Sequence, residues 1–431
     1  MNFLIFINNN KDKDCAVACQ VVSFLTDRGA TVFLDNRVRD IISNKKILSC
    51  SEFYELESIV SDVDAAIRIL EYLGCKVRRE KDTLYVDSGN ITCYNIPQNL
   101  MREMRSSIIF LGSLLGRMKK AGMSFPGGCE IGLRPIDLHL SSLESLGVTI
   151  DKRSADICCE VKDKITPAVI SLSFPSVGAT ENAMLAATAA EGVTVISNAA
   201  REPEIVDLQD FLQKLGVSIH GAGTSTITIR GGATLHETTH RPIPDRIVTA
   251  TYLCAAAACG GDITLRDTDY RHLARVTTAL HQAGCCLQCR EDSITLHSTG
   301  QLRSLPPVRT YPYPGFPTDA QPVLMAALLR AKGATMFVEN IFENRYRHAA
   351  ELTRMGADIR LEGKVALVSG VERLYGAEVH ATDLRGGAAL TVAALQAEGT
   401  TTIRNIHHIL RGYEDITRDL RALGADITFT T

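Results

Sequence analysis

A glycine-centred signature recurs six times along this chain of 431 residues and limits the folds that it can adopt. In each copy a helical pattern ends, a glycine follows, and a short strand pattern begins. The glycines are Gly74, Gly147, Gly216, Gly284, Gly356 and Gly424, at intervals of 73, 69, 68, 72 and 68 residues. Glycine readily adopts the left-handed conformation that ends many helices, so it suits such a junction. A period this regular predicts six repeated α/β units.

A second signature, an alanine- and leucine-rich helix leading through glycine into a β-branched strand, precedes the last five glycines by about two dozen residues. Its glycines are Gly122, Gly192, Gly260, Gly333 and Gly399. Before Gly74 the chain reads Leu48-Ser49-Cys50-Ser51, with no such helix in front. The first unit is therefore predicted to be incomplete. Residues 1–61 predict a different βαβ-like start: a strand at 3–7, a helix at 12–28 and a strand at 31–34.

Composition favours a soluble protein with small ligands. The net charge is −3 and 22% of residues are charged, without a dense Lys/Arg run, which argues against nucleic-acid and membrane-surface partners. Thirteen scattered cysteines and a start without a basic leader predict the reducing cytoplasm. Cys286 and Cys289 have metal-like spacing but lie in a predicted strand, so buried packing is favoured and no metal is expected.

One cysteine has a setting that indicates chemistry. Cys129 lies in the Gly/Pro-rich stretch 125–135, after Gly127 and Gly128 and before Arg134. Such a stretch predicts a surface loop, and a nearby guanidinium favours thiolate and attracts anions. A buried free cysteine in a glycine turn explains the same residues, and the residues alone do not decide between the two.

The helices that open the repeats begin with polar or charged clusters, at residues 102–107, 176–181, 245–246, 318–319 and 382–385. Helix N-termini carry free N–H donors and partial positive charge, so several that converge could hold phosphates. Convergence is expected in a cleft between two domains, residues 62–230 and 231–431. Simple helix capping explains Ser176, Thr318 and Thr382 equally well, and residue type alone favours it.

Ten short motifs in a fixed order make the pattern specific. From about Asp62 to the C-terminus the chain resembles the enolpyruvyl transferase family, and within it bacterial UDP-N-acetylglucosamine 1-carboxyvinyltransferases. The motifs include residues 104–107 (MRSS), 126–129 (PGGC), 134–139 (RPIDLH), 175–182 (PSVGATEN), 198–204 (NAAREPE), 244–246 (PDR), 316–319 (FPTD), 342–345 (FENR), 382–385 (TDLR) and 411–414 (RGYE). The resemblance implies two inside-out α/β barrel domains of three repeated units each, with the active site between them.

The resemblance also implies an activity: transfer of enolpyruvyl from phosphoenolpyruvate to the 3-hydroxyl of UDP-N-acetylglucosamine, with release of phosphate. This is the first committed step of peptidoglycan synthesis. It needs no cofactor and no metal, and it is the target of fosfomycin. The implied partners are these two small-molecule substrates, without nucleic acid or membrane.

Site residues follow from the same resemblance. Cys129 would donate the proton to C3 of phosphoenolpyruvate, and Asp319 would take the proton from the sugar hydroxyl. Arg134 and Arg411 would grip the phosphate and carboxylate of phosphoenolpyruvate, because guanidinium donors match planar oxyanions. The remaining implied substrate contacts, to uridine, to diphosphate and around the closed cleft, are Pro135, Ile136, Asp137, Leu138 and His139, then Ser176, Val177 and Gly178, then Arg105, Ile341, Arg345, Asp383 and Arg385.

The N-terminal part departs from the family. Members carry a Gly-Ala-Lys-Asn-like motif whose lysine binds phosphoenolpyruvate, and this sequence has none. Residues 1–61 resemble the start of a bacterial NAD kinase, and a fusion at residues 61–64, natural or made during sequence assembly, explains both observations. Phosphotransfer to NAD is disfavoured because no glycine-rich phosphate loop follows. The alternative to the full activity is a fusion that binds the UDP-sugar but is catalytically impaired.

Overall fold

The computed structural model describes residues 46–51, 61–80, 83–124, 136–151 and 156–430. The strands and helix predicted within residues 3–34 lie outside this part. The α-helices are α1 (Asp62–Tyr72), α2 (Gln98–Glu103), α3 (Phe110–Met118), α4 (Asp137–Ser145), α5 (Val177–Ala187), α6 (Pro203–Lys214), α7 (Arg246–Cys259), α8 (Ala274–Gln282), α9 (Gln321–Ala327), α10 (His348–Arg354), α11 (Leu384–Ala394), α12 (His407–Leu410) and α13 (Ile416–Ala422). Three 3-10 helices span Arg105–Ile109, Tyr270–Leu273 and Leu328–Arg330.

The strands are mostly short and lie between these helices. They are β1 (Lys46–Ser51), β2 (Lys76–Glu80), β3 (Thr83–Asp87), β4 (Asn95–Ile96), β5 (Lys120–Ser124), β6 (Thr149–Asp151), β7 (Asp156–Glu160), β8 (Val169–Ser171), β9 (Gly192–Ser197), β10 (Ser218–His220), β11 (Thr226–Gly231), β12 (Gly261–Arg266), β13 (Cys286–Arg290), β14 (Ser293–Ser298), β15 (Val308–Arg309), β16 (Ala334–Val338), β17 (Asp358–Glu362), β18 (Val365–Ser369), β19 (Leu374–Tyr375), β20 (Glu378–His380), β21 (Ala397–Glu398), β22 (Thr402–Arg404) and β23 (Ala425–Thr430).

The repeat predicted from the glycines is visible in a strand order that several units share. In the third unit the strand order is β10-β11-β9-β8, with β8 and β9 parallel and the other pairs antiparallel. The second and fifth units repeat this order, read from the opposite edge of the sheet, as β4-β5-β7-β6 and β15-β16-β18-β17. Within the described residues the first unit has only α1 and the β2–β3 hairpin, which is the second half of a unit, as predicted.

The sixth unit contains a strand that the sequence did not indicate. β1, from the N-terminal segment, pairs in parallel with β23, from Lys46 opposite Ala425 to Ser51 opposite Thr430. β1 also lies beside β22, which pairs in parallel with β20. Residues close to both ends of the described chain therefore share one sheet.

All six signature glycines have positive φ, between 84° and 112°, and each lies between a helix and a strand. One of the second-signature glycines behaves differently. In the second unit the left-handed residue after α3 is Lys119, with φ 59°, and Gly122 lies inside β5. A Cβ atom on Gly122 would overlap the Asn95 side chain, so glycine is needed there because β4 approaches closely.

The helices lie inside and the sheets outside, which confirms the predicted inside-out arrangement. The central helices α7, α9 and α11 pack against one another, and every residue of α9 is buried. Helices that are apolar on all sides are stable only when surrounded by protein. In the other half α3 packs against α5. The buried apolar residues form two clusters, one within 65–229 and one within 248–427. The proposed domain bounds are 62–230 and 231–431, and one cluster lies within each range.

Candidate functional site

Two of the three central helices in the C-terminal half are capped by aspartate. Asp245 Oδ1 accepts two backbone N–H bonds at the start of α7, at 2.7 and 3.0 Å. Asp383 Oδ1 does the same for α11, at 3.1 and 3.0 Å. Thr382 is therefore not the cap; its hydroxyl donates to Asp383 Oδ2 at 3.1 Å.

Asp319 precedes the third of these helices but does not cap it. The N-cap of α9 is Ala320, which has no side-chain cap bond. Arg345 Nη2 instead donates to Asp319 Oδ1 at 2.6 Å, and Arg385 Nη2 lies 3.8 Å from Oδ2. The side chain of Asp319 is 41% exposed whereas that of Arg345 is 1% exposed. The Asp319 carboxylate is thus partly exposed to solvent, and the guanidinium groups of Arg345 and Arg385 lie against it on the protein side.

The two arginines join the helix starts into one network. Arg345 also donates to the Thr318 carbonyl oxygen at 3.2 and 3.0 Å, and its Nη1 lies 3.8 Å from Asp383 Oδ1. The Arg385 guanidinium interacts electrostatically with Tyr413, whose hydroxyl is 2.7 Å from Thr251 Oγ1 on α7. The predicted residues Asp319, Arg345, Asp383 and Arg385 are therefore brought together.

Glu339 is a functional candidate that sequence analysis missed. Its carboxylate accepts bonds from the Thr318 hydroxyl, at 3.1 Å to each oxygen, and from the backbone N–H groups of Ile341 and Phe342, at 2.8 and 3.0 Å. Thr318 is therefore not a cap either, and the loop carrying Ile341 is tied to the residue before Asp319. The sequence signal was a glutamate directly after the apolar strand β16, a pattern that does not reveal its partners.

In the N-terminal half, the starts of α4 and α5 meet. Ser176 caps α5, because its hydroxyl accepts from the Ala179 N–H at 3.4 Å. His139, near the start of α4, lies against Gly178: a Cβ atom there would be 2.9 Å from His139 Cε1. This places the predicted residues Ile136, Asp137, Leu138 and His139 of the α4 start beside Ser176, Val177 and Gly178.

The two halves are joined close to Asp319. Arg246 donates to both oxygens of Glu204, at 2.9 and 3.3 Å, and Glu202 Oε1 accepts from the Tyr313 N–H at 3.2 Å. Burial, together with the neighbouring charges of Glu204 and Glu202, raises the pKa of the Glu181 carboxyl to about 8. An acidic cluster with one bound arginine thus lies where the halves meet.

Other predicted residues are placed elsewhere or not described. Cys129, Arg134 and Pro135 lie outside the described residues. Arg105 begins a 3-10 helix just before α3. Arg411 donates through Nε and Nη2 to Asp62 Oδ1 at 3.2 and 2.9 Å, so its guanidinium is held at the start of α1.

The remaining expectations concern cysteines, metals and membrane spans. Burial of Cys286 and Cys289 was predicted wrongly, since both are exposed on β13. Within the described ranges, no group of His, Cys, Asp and Glu side chains could hold a metal ion. No helix among those ranges is long and apolar enough to cross a bilayer.

Comparison with known proteins gives one family. The family model described as EPSP synthase (3-phosphoshikimate 1-carboxyvinyltransferase) matches residues 58–420. UDP-N-acetylglucosamine 1-carboxyvinyltransferase 2 of Caldanaerobacter subterraneus subsp. tengcongensis is 50% identical over 85% of this chain and 88% of its own length. The corresponding enzyme of Finegoldia magna is 46% identical over the same shares.

Solved structures agree with this assignment. The enolpyruvyl transferase NikO from Streptomyces tendae superposes with a TM-score of 0.73 at 27% identity, covering 84% of this chain and 87% of that one. EPSP synthase from Acinetobacter baumannii shares the fold, with a TM-score of 0.65 at 17% identity over 98% and 96% of the two chains. The chain belongs to the EPSP synthase family of enolpyruvyl (1-carboxyvinyl) transferases.

Proposed function

We propose that this protein transfers the enolpyruvyl group of phosphoenolpyruvate to the 3-hydroxyl of UDP-N-acetylglucosamine and releases phosphate. Relatives that carry this name are 46% and 50% identical to it across most of their length. The observation that carries the proposal is the Asp319 carboxylate, 41% exposed, held by Arg345 where three helix starts converge.

The reaction needs a base at the sugar hydroxyl and an acid at C3 of phosphoenolpyruvate. In the proposal Asp319 removes the hydroxyl proton as the sugar oxygen adds to C2, and Cys129 supplies a proton to C3. Loss of phosphate and of one C3 proton then restores the double bond on the transferred group. Asp319 suits its part because a hydrogen bond fixes one oxygen while the side chain remains 41% exposed.

Anion binding is assigned to the cations and helix starts around that carboxylate. Arg385 Nη1 is buried and has no hydrogen-bond partner within the described residues, so it is a donor available to a phosphate or carboxylate. Ser176, Val177 and Gly178 start an 11-residue helix whose N–H groups suit the diphosphate, and His139 with residues 134–138 is assigned to uridine. Arg105, Arg134, Ile341 and Arg411 complete the proposed contacts.

The test is phosphate release from phosphoenolpyruvate in the presence of UDP-N-acetylglucosamine. D319N should lower kcat by about 10²-fold or more, since a positioned base contributes roughly 10²- to 10⁴-fold. D358N is the matched control, because Asp358 is 45% exposed on β17 and contacts only Arg360 at 3.8 Å among the ion pairs of the described chain. Equal losses in the two variants, or full activity in D319N, would contradict the assignment.

A second candidate function is UDP-sugar binding with little turnover. The sequence lacks the Gly-Ala-Lys-Asn-like motif, and the Arg411 guanidinium is engaged by Asp62. Calorimetry separates the candidates: both require UDP-N-acetylglucosamine binding, and only the transferase releases phosphate. Folded protein that binds no UDP-sugar would exclude both. A cytoplasmic location is proposed with either.

A further inference from the structure

The outer sheet of the fourth unit places three chemically active side chains in one row. Its strand order is β12-β14-β13, with antiparallel neighbours. Asp262 on β12 is directly opposite His297 on β14, and His297 is directly opposite Cys286 on β13. Directly opposite residues point to the same face, with Cβ atoms about 4.5–5.5 Å apart. A carboxylate, an imidazole and a thiol thus follow one another across the sheet.

The contacts within the row show which nitrogen of His297 contacts Asp262 and which one remains for the thiol. His297 Nδ1 lies 2.7 Å from Asp262 Oδ1. A neutral imidazole that donates its Nδ1 proton to a carboxylate carries its lone pair on Nε2, so the ring can act as a base on its other side. The side chains of His297 and Asp262 are 55% and 73% exposed, and Cys286 is exposed on the edge strand β13. A small reagent can therefore reach the thiol.

We propose that Cys286 is a modification site that forms mixed disulfides with low-molecular-weight disulfides, with His297 as its base and Asp262 orienting the imidazole. The Cys286 thiol gives its proton to His297 Nε2, and the thiolate attacks one sulfur of the reagent. A new S–S bond forms as the reagent's S–S bond breaks. The leaving thiolate takes the proton from His297, so Cys286 is oxidised to the disulfide level and half of the reagent is reduced to a thiol.

Three other cysteines among the described residues lack this arrangement and provide internal controls. Cys158, exposed on β7, is opposite Gly122 and Asp151, neither of which is an imidazole. Cys289 is on the other face of β13, opposite Ile294. Cys254 is fully buried, and burial raises the pKa of its thiol. The proposal therefore predicts a ranking of thiols by neighbour and not by exposure alone.

The experiment treats the full chain with oxidised glutathione at pH 7.5 and follows each cysteine peptide by mass spectrometry over time. Cys286 should react roughly tenfold faster than Cys158 and Cys289, a smaller gain than the 10²- to 10⁴-fold typical of enclosed bases, because the row is open to water. H297Q should lower the Cys286 rate to that of Cys158. D262N should give an intermediate rate.

A pH profile separates a base from a merely structural neighbour. The wild-type Cys286 rate should stay high at a lower pH than the Cys286 rate of H297Q, because the variant has no base beside the thiol. The other charged residues expected on this face, Arg266 and Arg290, lie four residues along their strands from Asp262 and Cys286 and are present in both proteins. Phosphate release and thermal unfolding of H297Q should match the wild type. Equal rates for Cys286 and Cys158, or an unchanged Cys286 rate in H297Q, would overturn the proposal.

Discussion

The two halves of the molecule use the same unit but join their central helices differently. In the C-terminal half α9 and α11 are connected by Arg345, whose guanidinium contacts Asp319, Asp383 and a carbonyl oxygen. In the N-terminal half α3 and α5 are connected by an uncharged amide: Asn182 accepts from the Gly112 N–H at 2.6 Å and donates to the Ile108 carbonyl oxygen at 3.0 Å. The repeated unit sets the architecture, whereas the side chain that connects the two helices, Arg345 or Asn182, decides where charge is concentrated.

Replacing Arg345 by methionine removes the charged connection between α9 and α11 and should have the largest effect on stability. Removing one partner of a buried ion pair leaves an uncompensated charge, which typically costs about 3–5 kcal/mol. Denaturant unfolding should show a loss of this size for R345M. R360M is the control, since Arg360 is 78% exposed, and it should change the unfolding free energy by less than about 0.5 kcal/mol. A small loss in R345M would mean that water replaces its partners.

Completing the first unit tests whether the N-terminal half limits catalysis. A version whose residues 1–61 are replaced by a family-like start containing the Lys-Asn motif should release phosphate about 10²- to 10³-fold faster, roughly 3–4 kcal/mol, because a cation aimed at phosphoenolpyruvate is restored. The comparison is with the present chain at equal substrate concentrations. Equal rates would show that the existing N-terminal segment supplies a working substitute.

His240, in the segment between the two halves, forms a buried pair with Asp207 on α6 of the N-terminal half. His240 Nε2 lies 2.9 Å from Asp207 Oδ1, both side chains are 3% exposed, and Lys214 Nζ is 3.3 Å from Nδ1. H240A should lower the unfolding free energy by about 1–3 kcal/mol, since it leaves a buried carboxylate without this partner. H236A, at an exposed histidine nearby, should be nearly neutral in the same unfolding assay. Equal losses of unfolding free energy in H240A and H236A would refute the role of the His240–Asp207 pair.

The buried carboxyl group of Glu181 is expected to make the stability of the protein depend on pH. Its folded pKa of about 8 lies above the ordinary value of 4.5, so it stays protonated in the folded protein while it ionises in the unfolded chain. Its contribution to stability therefore falls as pH rises from about 4.5 to about 8, by at most about 1.4 kcal/mol per pH unit, and is constant beyond.

Unfolding of E181Q across pH 5–9 measures this. The unfolding free energy of E181Q minus that of the wild type should increase with pH up to about 8 and then level off. E191Q is the control, because the Glu191 side chain is 72% exposed, and it should show no such slope. A flat difference for E181Q would mean that the carboxyl is already ionised in the folded protein.

Periodic features were predictable from sequence because they depend on local backbone chemistry. The six glycines predicted the ends of helices and the repeated units, since each needs only a left-handed residue between helix and strand. The inside-out layers came from the family resemblance. The grouping of Asp319, Arg345, Asp383 and Arg385 came from resemblance. Glu339 and the Glu204–Arg246 contact were missed, because they join residues distant in sequence that no local pattern connects.

Two errors have the same physical origin. Thr318 and Thr382 are residue types suited to capping, yet their hydroxyl groups donate hydrogen bonds to the distant Glu339 and to the neighbouring Asp383 instead. Cys286 and Cys289 occupy a predicted strand, but β13 is an edge strand, and sheet position rather than residue type exposes them. Competition between partners and position in a sheet are tertiary properties.

The unequal aspartates at the three helix starts suggest how duplication can create chemistry. Asp245 and Asp383 are bound by the N–H groups of their own helices, so changing either costs a cap. Asp319 lies one residue before the N-cap of α9, and that helix begins without a capping side chain. In an ancestral repeat with a capping aspartate in every copy, a shift of one residue in one copy would free a carboxylate while the other two preserved the scaffold. Redundancy among repeats would then have allowed one of them to change its role without loss of the fold.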